Sequence, residues 1–569
     1  MKEMIITLLE GILGNLKIPF ETIQLEYPAD MEHGDFSTNI ALACAKKAGV
    51  NPRELAEKIV AEIEKNKPVD ITKMEVAGPG FINFYLAPQF FAGTIGQIVK
   101  EGKEFGKNES LKGKKVMVEY TQPNPFKPFH IGHLMSNAVG ESLARLVEWS
   151  GAKTVRANYQ GDVGPHVAKA IYILLKNPAP AELTTASSQA EYIGKCYSQG
   201  SQAYEEDPET KKEIDAINKK IYEKSDEEIN KVYDWGRKVT LDAFEELYAI
   251  LGTKFDYYFF ESEMAPIGQK IVQENVGPVF EESDGAIVFK ADKYDPKLHT
   301  RVFINSQGLP TYETKEIGLT MTKFAKEQNL DLSIVDTAVE QAEYMKVVEK
   351  AMSLLKPEYA EKMKHITHGM MRFAEGKMSS RKGNIITGES LVRDSKAMIM
   401  EKIADRDFTA EEKETVSAIV GVGALKYSIL RQAVGGDIIY DFEKSISFEG
   451  DSGPYLQYSA TRVKSVLAKA QNEKVSVDAS LPKEWQTTVL ERLLSRFPDT
   501  ALRASREYAP HHIASYLGSL ARAWSSFYDS TKILDDSDAT PYKLSLATAV
   551  GTVLESGLAL LGITAPERM

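Results

Sequence analysis

The stretch Val116-Met-Val-Glu-Tyr-Thr-Gln-Pro-Asn-Pro-Phe-Lys-Pro-Phe-His-Ile-Gly-His133 decides the fold of this chain. Residues 116–120 are mainly apolar and β-prone, which predicts a short buried strand. Prolines at positions 123, 125 and 128 then disfavour regular structure and predict a stiff loop. A helix is predicted from about Ile131, because the apolar residues that follow recur at helical spacing: Leu134, Val139, Leu143 and Leu146.

His130 and His133 lie on the first turn of this predicted helix, three residues apart, so both side chains can face one ligand. Free backbone N–H groups and the positive end of the helix dipole favour an anion there. Gly132 has no side chain, so a flat ring can lie against the backbone. The alternative interpretation is a pair of helix-capping histidines without a ligand, and this motif alone leaves it open.

The composition is that of an ordinary globular chain, with 43% hydrophobic and 26% charged residues, and 569 residues favour three or four domains. No run of about 18 apolar residues is evident, so no membrane span is expected. Cys44 and Cys196 have no metal-ligand or redox spacing, and we expect a cytoplasmic protein without a resident metal. The net charge of −12 argues mildly against nucleic acid but does not exclude it, because binding depends on local patches.

Residues 1–105 predict a small α+β unit with helices at 3–16, 37–48 and 52–65 and a strand at 81–86. Asp35 or Ser37 is expected to cap the second helix. Residues 387–569 show helical periodicity only, which predicts an all-α domain. Its interspersed basic and aromatic side chains are typical either of core and interface packing or of RNA contact: Tyr455, Tyr458, Arg462, Arg503, Arg506 and Trp524.

Residues 106–386 alternate predicted strands and helices, which favours an α/β domain with a doubly wound, Rossmann-type parallel sheet. The predicted strands lie at 116–120, 154–159, 255–260, 286–290, 302–305, 332–336 and 363–373. A polar helical stretch at about 185–250 interrupts them, and we interpret it as a solvated insertion without chemistry. Ligands of such sheets bind beyond the carboxyl ends of the strands, where Asn124, Lys127 and His130 are expected.

A second motif, Gly376-Lys-Met-Ser-Ser-Arg-Lys-Gly-Asn384, places three cations and two hydroxyls between glycines. A cationic loop of this kind suits a polyphosphate whose charge must be neutralised as it leaves. A basic loop alone is more often merely solvated. Together with the upstream His-x-Gly-His on a strand-to-helix turn, it becomes a specific signal for nucleotide chemistry.

In this order, the two motifs resemble those of the class I aminoacyl-tRNA synthetases, and in detail those of the arginyl-tRNA synthetase family. The resemblance covers essentially the whole chain. Met31–Leu42 and Ala77–Asn83 are similar to that family's N-terminal additional domain, and residues 118–133 and 378–384 to its two signatures. Residues 451–458 and 560–569 are similar to its anticodon-binding domain. The resemblance implies an additional domain at 1–105, a catalytic domain at 106–386 and an anticodon-binding domain at 387–569.

The family's reaction has two steps. The arginine carboxylate attacks the ATP α-phosphate to give arginyl-adenylate and pyrophosphate, and the 2′-hydroxyl of the terminal tRNA adenosine then takes the arginyl group. Positioning and charge neutralisation carry most of such chemistry. The implied partners are L-arginine, tRNA(Arg) and ATP with Mg²⁺, and the implied state is a monomer without a membrane. Members of this kind generally need bound tRNA even for the first step.

The resemblance also implies roles for individual residues. Catalysis and ATP binding are expected from Lys127, His130, Gly132, His133, Lys377, Met378, Ser379, Arg381 and Lys382. Arginine binding is expected from Glu119, Asn124, Tyr312, Glu316 and Gln341, because a planar cation with five donors calls for carboxylates and amides. An acid in a buried strand needs a partner, and we expect the substrate to supply one for Glu119. Contacts with tRNA are expected from Asn83, Tyr455, Gln457, Arg462 and Met569.

The chain departs from the family pattern at three positions. The family usually has Asp where Glu316 stands, and the extra methylene shifts the carboxylate. It often has His where Tyr344 stands, so no role is carried over to Tyr344. The wider class has a second Lys where Ser380 stands, and Lys127 is expected to compensate by reaching the same phosphates from the other side.

Three other functions are compatible with parts of the sequence. A small-metabolite nucleotidylyltransferase also uses His-x-Gly-His, but such chains are usually much shorter and lack a long helical tail. A catalytically dead paralogue acting as an RNA-binding or scaffold protein is argued against by the intact His130, His133, Glu119 and Lys377. A synthetase for cysteine or glutamine would not need Glu119 and Glu316, because neither side chain is a cation.

Overall fold

The computed structural model describes residues 1–374 and 386–569. Within them, Cα packing separates two compact units. The first contains 1–105, 463–497 and 522–553, and the second contains 106–462, 498–521 and 554–569. The predicted C-terminal domain at 387–569 is thus distributed over both units, and the three-domain division remains a prediction.

The N-terminal part of the first unit is an α+β fold. In chain order it contains α1 (Lys2–Asn15), β1 (Phe36–Thr38), α2 (Ile40–Ala48), α3 (Pro52–Lys65), β2 (Ile71–Ala77), β3 (Phe81–Leu86) and α4 (Pro88–Glu101). The three strands form an antiparallel sheet in the order β1-β3-β2. One apolar core is formed by the inner faces of α1 to α4 and of this sheet.

The predicted cap of α2 is wrong. The helix begins at Ile40 rather than near residue 37, because Phe36–Thr38 pairs with β3 as a strand. Asp35 does not cap a helix: its buried carboxylate accepts the N–H of Leu86 at 2.8 Å. Thr38 is the residue whose hydroxyl accepts the N–H of Ile40, at 3.3 Å.

The second unit is built around a five-stranded parallel sheet. Its elements begin with β4 (Lys115–Glu119), α5 (Ile131–Trp149), β5 (Lys153–Gln160) and α6 (Pro165–Lys176), then α7 (Ala186–Glu206), α8 (Pro208–Glu223) and α9 (Glu227–Leu251). They continue with β6 (Tyr257–Phe260), α10 (Glu261–Glu274), β7 (Glu281–Ser283), β8 (Ala286–Phe289), β9 (Arg301–Ile304), α11 (Tyr312–Lys326), β10 (Leu332–Ala338), α12 (Ala342–Leu355), α13 (Pro357–Ala360), β11 (Met363–His368) and β12 (Met371–Phe373).

The core sheet has the strand order β11-β10-β4-β5-β6, and every neighbouring pair is parallel. Val116, Met117 and Val118 of the central strand β4 are fully buried, as a strand covered on both faces requires. The chain leaves β4 towards β5 and β6 and later returns on the other side to β10 and β11. The predicted doubly wound sheet is therefore confirmed, with its switch point between β4 and β10.

Two predicted strands lie outside the core sheet. β8 and β9 form, with β7, a separate antiparallel sheet in the order β7-β8-β9. A parallel neighbour requires a long crossover connection, usually a helix, and the segment between β8 and β9 contains only the short 3₁₀ turn Ala291–Lys293. The predicted strand 363–373 is also divided: β11 joins the core sheet, whereas β12 pairs with Ile438–Tyr440.

The predicted insertion at about 185–250 is helical, as α7, α8 and α9. It is more than a solvated appendage, because Ile193, Ile214, Ile221 and Ile229 are buried in a cluster that includes Phe126 of the loop after β4. The insertion thus packs on the loop that leads to His130.

The remaining elements are mainly helical: α14 (Gly388–Lys402), α15 (Ala410–Leu430), β13 (Ile438–Tyr440), α16 (Phe442–Ser445), α17 (Gly453–Asn472), α18 (Val489–Ser495), α19 (Phe497–Arg506), α20 (His511–Ser530) and α21 (Thr540–Leu560). The sequence analysis did not predict strand β13, because this region showed helical periodicity only. Helix α21 is long and apolar enough to cross a membrane by length and composition, but 72% of its apolar window is buried inside the protein. That burial is typical of a core helix.

Candidate active site

The switch point of the core sheet brings the two halves of the site together. Glu119 is the last residue of β4 and lies in register with Val335 of β10. Helix α5 begins shortly beyond Glu119, with extended His130 as its N-cap. Glu119 and the first turn of α5 therefore both lie at the carboxyl edge of the sheet, where doubly wound folds bind their ligands.

The two histidines form one stacked unit on that first turn. Their ring centroids are 3.4 Å apart and the planes are inclined by 24°. The backbone N–H of His130 donates to Nδ1 of His133 at 3.2 Å. In the neutral ring of His133 the proton must then be on Nε2, which leaves this N–H available to a ligand.

Both imidazoles are neutral near pH 7. The pKa of His130 is lowered to about 4 by desolvation and, to a smaller extent, by the positive charge of Lys127, although part of the ring remains accessible to solvent. The pKa of His133 is lowered well below its usual value, mainly by burial of the ring. The pair can therefore act as hydrogen-bond donors to an anion and carries no charge of its own before the anion arrives.

Lys127 supplies a cation close to this pair. Its Nζ lies 5.3 Å from the ring centroid of Tyr197 on α7, in a cation–π contact. Gly132 is half-buried, and a Cβ there would come to 3.0 Å from Cε1 of His130, so even a methyl group would crowd this ring.

The loop between β4 and α5 has a strained backbone. Thr121, Gln122 and Phe126 all have positive φ, at 78°, 47° and 67°. The side chain of Asn124 is fixed by the residue that follows β5: its Oδ1 accepts the N–H of Gly161 at 3.2 Å. A Cβ at Gly161 would lie 2.5 Å from that oxygen, so glycine permits the contact. The amide N–H₂ group of Asn124 remains available to a substrate.

Glu119 already has partners inside the protein. The ammonium of Lys323 on α11 forms an ion pair with Oε2 of Glu119, and the two side chains are 3% and 1% exposed. Nε2 of Gln122 donates to Oε1 of Glu119 at 3.1 Å. The chain thus supplies the partner that we expected from the substrate, and the Glu119 side chain is held in place before any ligand binds.

Glu316 differs from the other acids around it. Glu261 pairs with Lys315 at 2.6 Å, Glu313 pairs with Arg301 at 3.4 Å, and Glu119 pairs with Lys323. Among residues 1–374 and 386–569 no ion-pair partner within 4 Å is found for Glu316. Burial, and then the negative charge of Glu119, raise its pKa to about 8, and the more distant positive charge of Lys323 offsets this rise only in part.

The remaining arginine candidates lie along α11 and after β10. Tyr312 begins α11, is 62% exposed and has its ring centroid 5.2 Å from Nζ of Lys315. Gln341 is exposed after β10, and its Oε1 accepts the hydroxyl of Tyr344 at 3.1 Å. Burial and the charge of Glu316 raise the pKa of Tyr344 well above its usual value. Tyr344 therefore lies close to the acids, although the sequence assigned it no role.

The second motif lies outside the described residues, and so do the candidates Lys377, Met378, Ser379, Arg381 and Lys382. The residues on both sides of it are described. Ala374 donates its N–H to Tyr440 at 3.1 Å, and Thr387 forms an antiparallel β-bridge with His130. The chain therefore re-enters the described region at the first turn of α5, beside the histidines.

The tRNA candidates have different placements. Asn83 is 4% exposed, and its Oδ1 accepts the hydroxyl of Ser37 at 2.7 Å. Gln457 is fully buried and donates to the Thr564 carbonyl at 2.6 Å. In this conformation, both side-chain amides are buried and hydrogen-bonded within the protein, so they are not accessible to RNA. Tyr455, Arg462 and Met569 are half-buried and keep some accessible surface.

Several residues of the site were missed by the sequence analysis. Lys315 and Lys323 lie on α11 with Tyr312 and Glu316, at spacings that put residues on one face of a helix, and this periodicity was the available signal. The helical insertion, to which the sequence analysis assigned no chemistry, also contributes to the site. Its residues there are Tyr197 on α7 and Tyr222 on α8. Tyr222 lies beside Lys315 and Glu261, and its pKa is raised mainly by burial.

Family models cover nearly the whole chain. Residues 94–442 match the catalytic domain of class I tRNA synthetases (R), residues 456–569 match the DALR anticodon binding domain, and residues 2–86 match the arginyl tRNA synthetase N-terminal domain.

Curated relatives and solved structures agree with these models. The arginine–tRNA ligase of Halothermothrix orenii is 31% identical over 100% of this chain and 99% of its own length. That of Thermococcus sibiricus is 30% identical over 95% and 94%. The arginyl-tRNA synthetase of Thermus thermophilus has a similar fold, with a TM-score of 0.79, 23% identity and complete coverage of both chains. That of Plasmodium falciparum gives 0.78 at 20% identity, over 100% of this chain and 99% of its own.

Proposed function

This chain belongs to the arginyl-tRNA synthetase family, and from that membership we propose how its residues divide the work of charging tRNA(Arg) with arginine. The reaction has two steps. An oxygen of the arginine carboxylate bonds to the α-phosphorus of ATP as pyrophosphate leaves. The ribose 2′-hydroxyl of tRNA then bonds to the arginyl carbonyl carbon as AMP leaves.

We propose that His130 and His133 bind the ATP phosphates as neutral donors. The stacked rings, the Nδ1 contact that leaves Nε2–H of His133 free and their place at the N-terminus of α5 support this role. Lys127 would supply positive charge to the same phosphates by leaving the ring of Tyr197. Gly132 would let the adenine lie against the helix backbone.

We propose that Glu316 binds the guanidinium group of arginine. The observation that carries this proposal is its isolation: three neighbouring acids have cations of their own, whereas Glu316 has none within 4 Å in the described residues. A guanidinium group would supply the missing charge and two parallel N–H donors. Glu119, Asn124, Tyr312 and Gln341 would complete the binding site for the rest of the amino acid.

Mg²⁺ is proposed to arrive with ATP. The described residues contain no group of three or more His, Cys, Asp or Glu side chains suited to holding a metal ion. Phosphate oxygens and water are the ligands that Mg²⁺ prefers in nucleotide sites. We therefore assign the ion to the nucleotide and no step to a protein-bound metal.

For the second motif we propose that Lys377, Met378, Ser379, Arg381 and Lys382 neutralise and release pyrophosphate. The position of Thr387 beside His130 supports this proposal.

For tRNA we propose contacts from Tyr455, Arg462 and Met569. We also propose a cytoplasmic monomer.

Charging assays with each of the twenty amino acids and total tRNA test the substrate assignment. We expect arginine alone to be charged, whereas charging of cysteine or glutamine would overturn it. ATP–pyrophosphate exchange that depends on arginine distinguishes the enzyme from a catalytically dead paralogue. Transfer to tRNA distinguishes it from a nucleotidylyltransferase.

A further inference from the structure

Lys323 and Glu119 form a charge pair that none of the expected roles includes. Lys323 is on the last turn of α11, and its side chain is 3% exposed. The ammonium group reaches Oε2 of Glu119, on the strand at the centre of the sheet. Burying two charges costs free energy that their attraction only partly returns, so such a pair at the edge of a ligand site calls for an explanation.

The carboxylate of Glu119 is fixed at both oxygens. Lys323 holds Oε2, and Nε2 of Gln122 donates to Oε1 at 3.1 Å. Gln122 adopts a left-handed backbone conformation with φ of 47°, which a non-glycine residue adopts only at a cost. One ion pair and one hydrogen bond, from different parts of the chain, thus restrain the Glu119 carboxylate.

Among the described residues, Glu119 has no second cation that could replace Lys323. The neighbouring cations Lys315 and Arg301 are each paired with another acid, Glu261 and Glu313. Lys323 is therefore the single described cation that pairs with Glu119 within 4 Å. Without it, a carboxylate that is 1% exposed would be left buried without a cation and would lose its fixed orientation.

We propose that Lys323 is a positioning residue of the amino-acid site, which acts through Glu119. It holds the Glu119 carboxylate in one orientation, so that this group can accept a hydrogen bond from a cationic group of the substrate. Glu316, in contrast, has no ion-pair partner within 4 Å among the described residues, whereas Glu261 and Glu313 each have one. This inference rests on the proposed function, in which arginine occupies the pocket beside both acids.

Three variants of the full-length enzyme test the role of Lys323: Lys323→Met, Lys323→Arg and the charge-balanced double variant Glu119→Gln/Lys323→Met. For each we would measure the Tm and the KM values for arginine and for ATP, by pyrophosphate exchange with tRNA present. Lys323→Met should raise the arginine KM by at least about tenfold and lower the Tm. Lys323→Arg should keep the arginine KM within about threefold of wild type, because it retains the charge.

The double variant separates positioning from simple charge compensation. It contains no buried unpaired charge, so its Tm should return close to that of the wild type. Its arginine KM should stay raised by at least about tenfold, because the ionised carboxylate is still missing. The ATP KM should change by less than about threefold in all variants, because Lys323 is not among the groups proposed to bind ATP.

Two results would overturn the inference. One is recovery of the arginine KM together with the Tm in the double variant, which would show that arginine binding does not need the Glu119 carboxylate that Lys323 is proposed to position. The other is an unchanged arginine KM in folded Lys323→Met. Failure of the proposed function would differ from both, because the wild-type enzyme would then show no arginine-dependent exchange at all.

Discussion

Thr387 forms an antiparallel β-bridge with His130, and the neighbouring N–H of Gly388 donates to the Phe129 carbonyl at 2.8 Å. The residues that follow the second motif are thereby tied to the first turn of α5. The described residues closest after the second motif thus lie beside the N-terminus of α5, more than two hundred positions from it in the sequence.

The Lys127→Ala variant is expected to slow adenylate formation far more than Lys382→Ala. Lys127 lies on the loop that enters α5, and its charge lowers the pKa of His130, which places the ammonium near the proposed phosphate site. ATP–pyrophosphate exchange measures this step, and rates in the opposite order would contradict the prediction. Lys169→Ala is a useful control, because its ammonium contacts Tyr204 at 4.4 Å in the insertion.

The arginine KM should fall as the pH rises towards about 8. The pKa of Glu316 is raised to about 8, first by burial and then by Glu119, so below that pH the empty pocket holds a proton that the substrate must displace. The change should approach tenfold per pH unit well below the pKa, as expected for release of one proton. Steady-state kinetics between about pH 6.5 and pH 8.5 measure it. A flat profile in the wild type would contradict this account.

Removal of Glu141 from α5 should destabilise the second unit. The buried carboxylate accepts from Arg145 at 2.7 Å, Arg156 at 3.1 Å and the Tyr120 hydroxyl at 2.5 Å. Burial would raise its pKa, but Arg156 and Arg145 outweigh this effect and lower it, so its contribution to stability is complete at pH 7. Glu141→Ala should cost about 3–5 kcal/mol, because the half-buried Arg156 would lose its main partner and the buried Tyr120 hydroxyl its acceptor.

Urea unfolding followed by tyrosine and tryptophan fluorescence measures this loss. Glu148→Gln is the matched control: its carboxylate also accepts from Arg156, at 3.2 Å, but the side chain is 57% exposed. Such exposed pairs contribute little, and we expect no measurable change. Equal losses in the two variants would show that the buried network around Glu141 has no special importance.

Pyrophosphate exchange should require tRNA(Arg). This expectation comes from the family, and α5 offers a physical connection for it. On α5, Ser142 donates to the Leu560 carbonyl at 2.8 Å and Arg145 donates to the Ala559 carbonyl at 2.9 Å. Helix α5 is therefore hydrogen-bonded to the end of α21. Exchange should be strongly reduced without tRNA and not restored by a tRNA for another amino acid. Full exchange without any tRNA would reject the requirement.

Local patterns predicted most of the backbone of the catalytic region. The apolar run 116–118, the prolines after it and the helical spacing beyond His130 each act over a few residues, so β4, the loop and α5 could be recognised. The assignment of β8 and β9 to the core sheet failed, because a strand pattern does not specify its partner. The strand 438–440 was missed for a related reason: its three residues pair with β12, which is distant in sequence.

The candidate site was predicted in its residue types but not in its charge balance. The motifs and the family resemblance pointed to His130, Glu119 and Glu316, yet nothing local to Glu119 indicates that Lys323 neutralises it. That pairing depends on the distance between α11 and β4, which only tertiary packing sets. The same holds for Asn83 and Gln457: the family resemblance implied tRNA contact, whereas both amides are buried and hydrogen-bonded within the fold.

The most direct test of this account compares arginine with citrulline, which replaces the guanidinium by a neutral ureido group of similar size. The measurement is kcat/KM for each amino acid in tRNA charging, with wild type, Glu316→Gln and Glu313→Gln as a control from the same helix. The account predicts that Glu316→Gln lowers kcat/KM for arginine by about 100-fold and removes most of the preference for arginine, while Glu313→Gln retains it. Undiminished discrimination in Glu316→Gln would contradict the claim that this carboxylate selects the substrate.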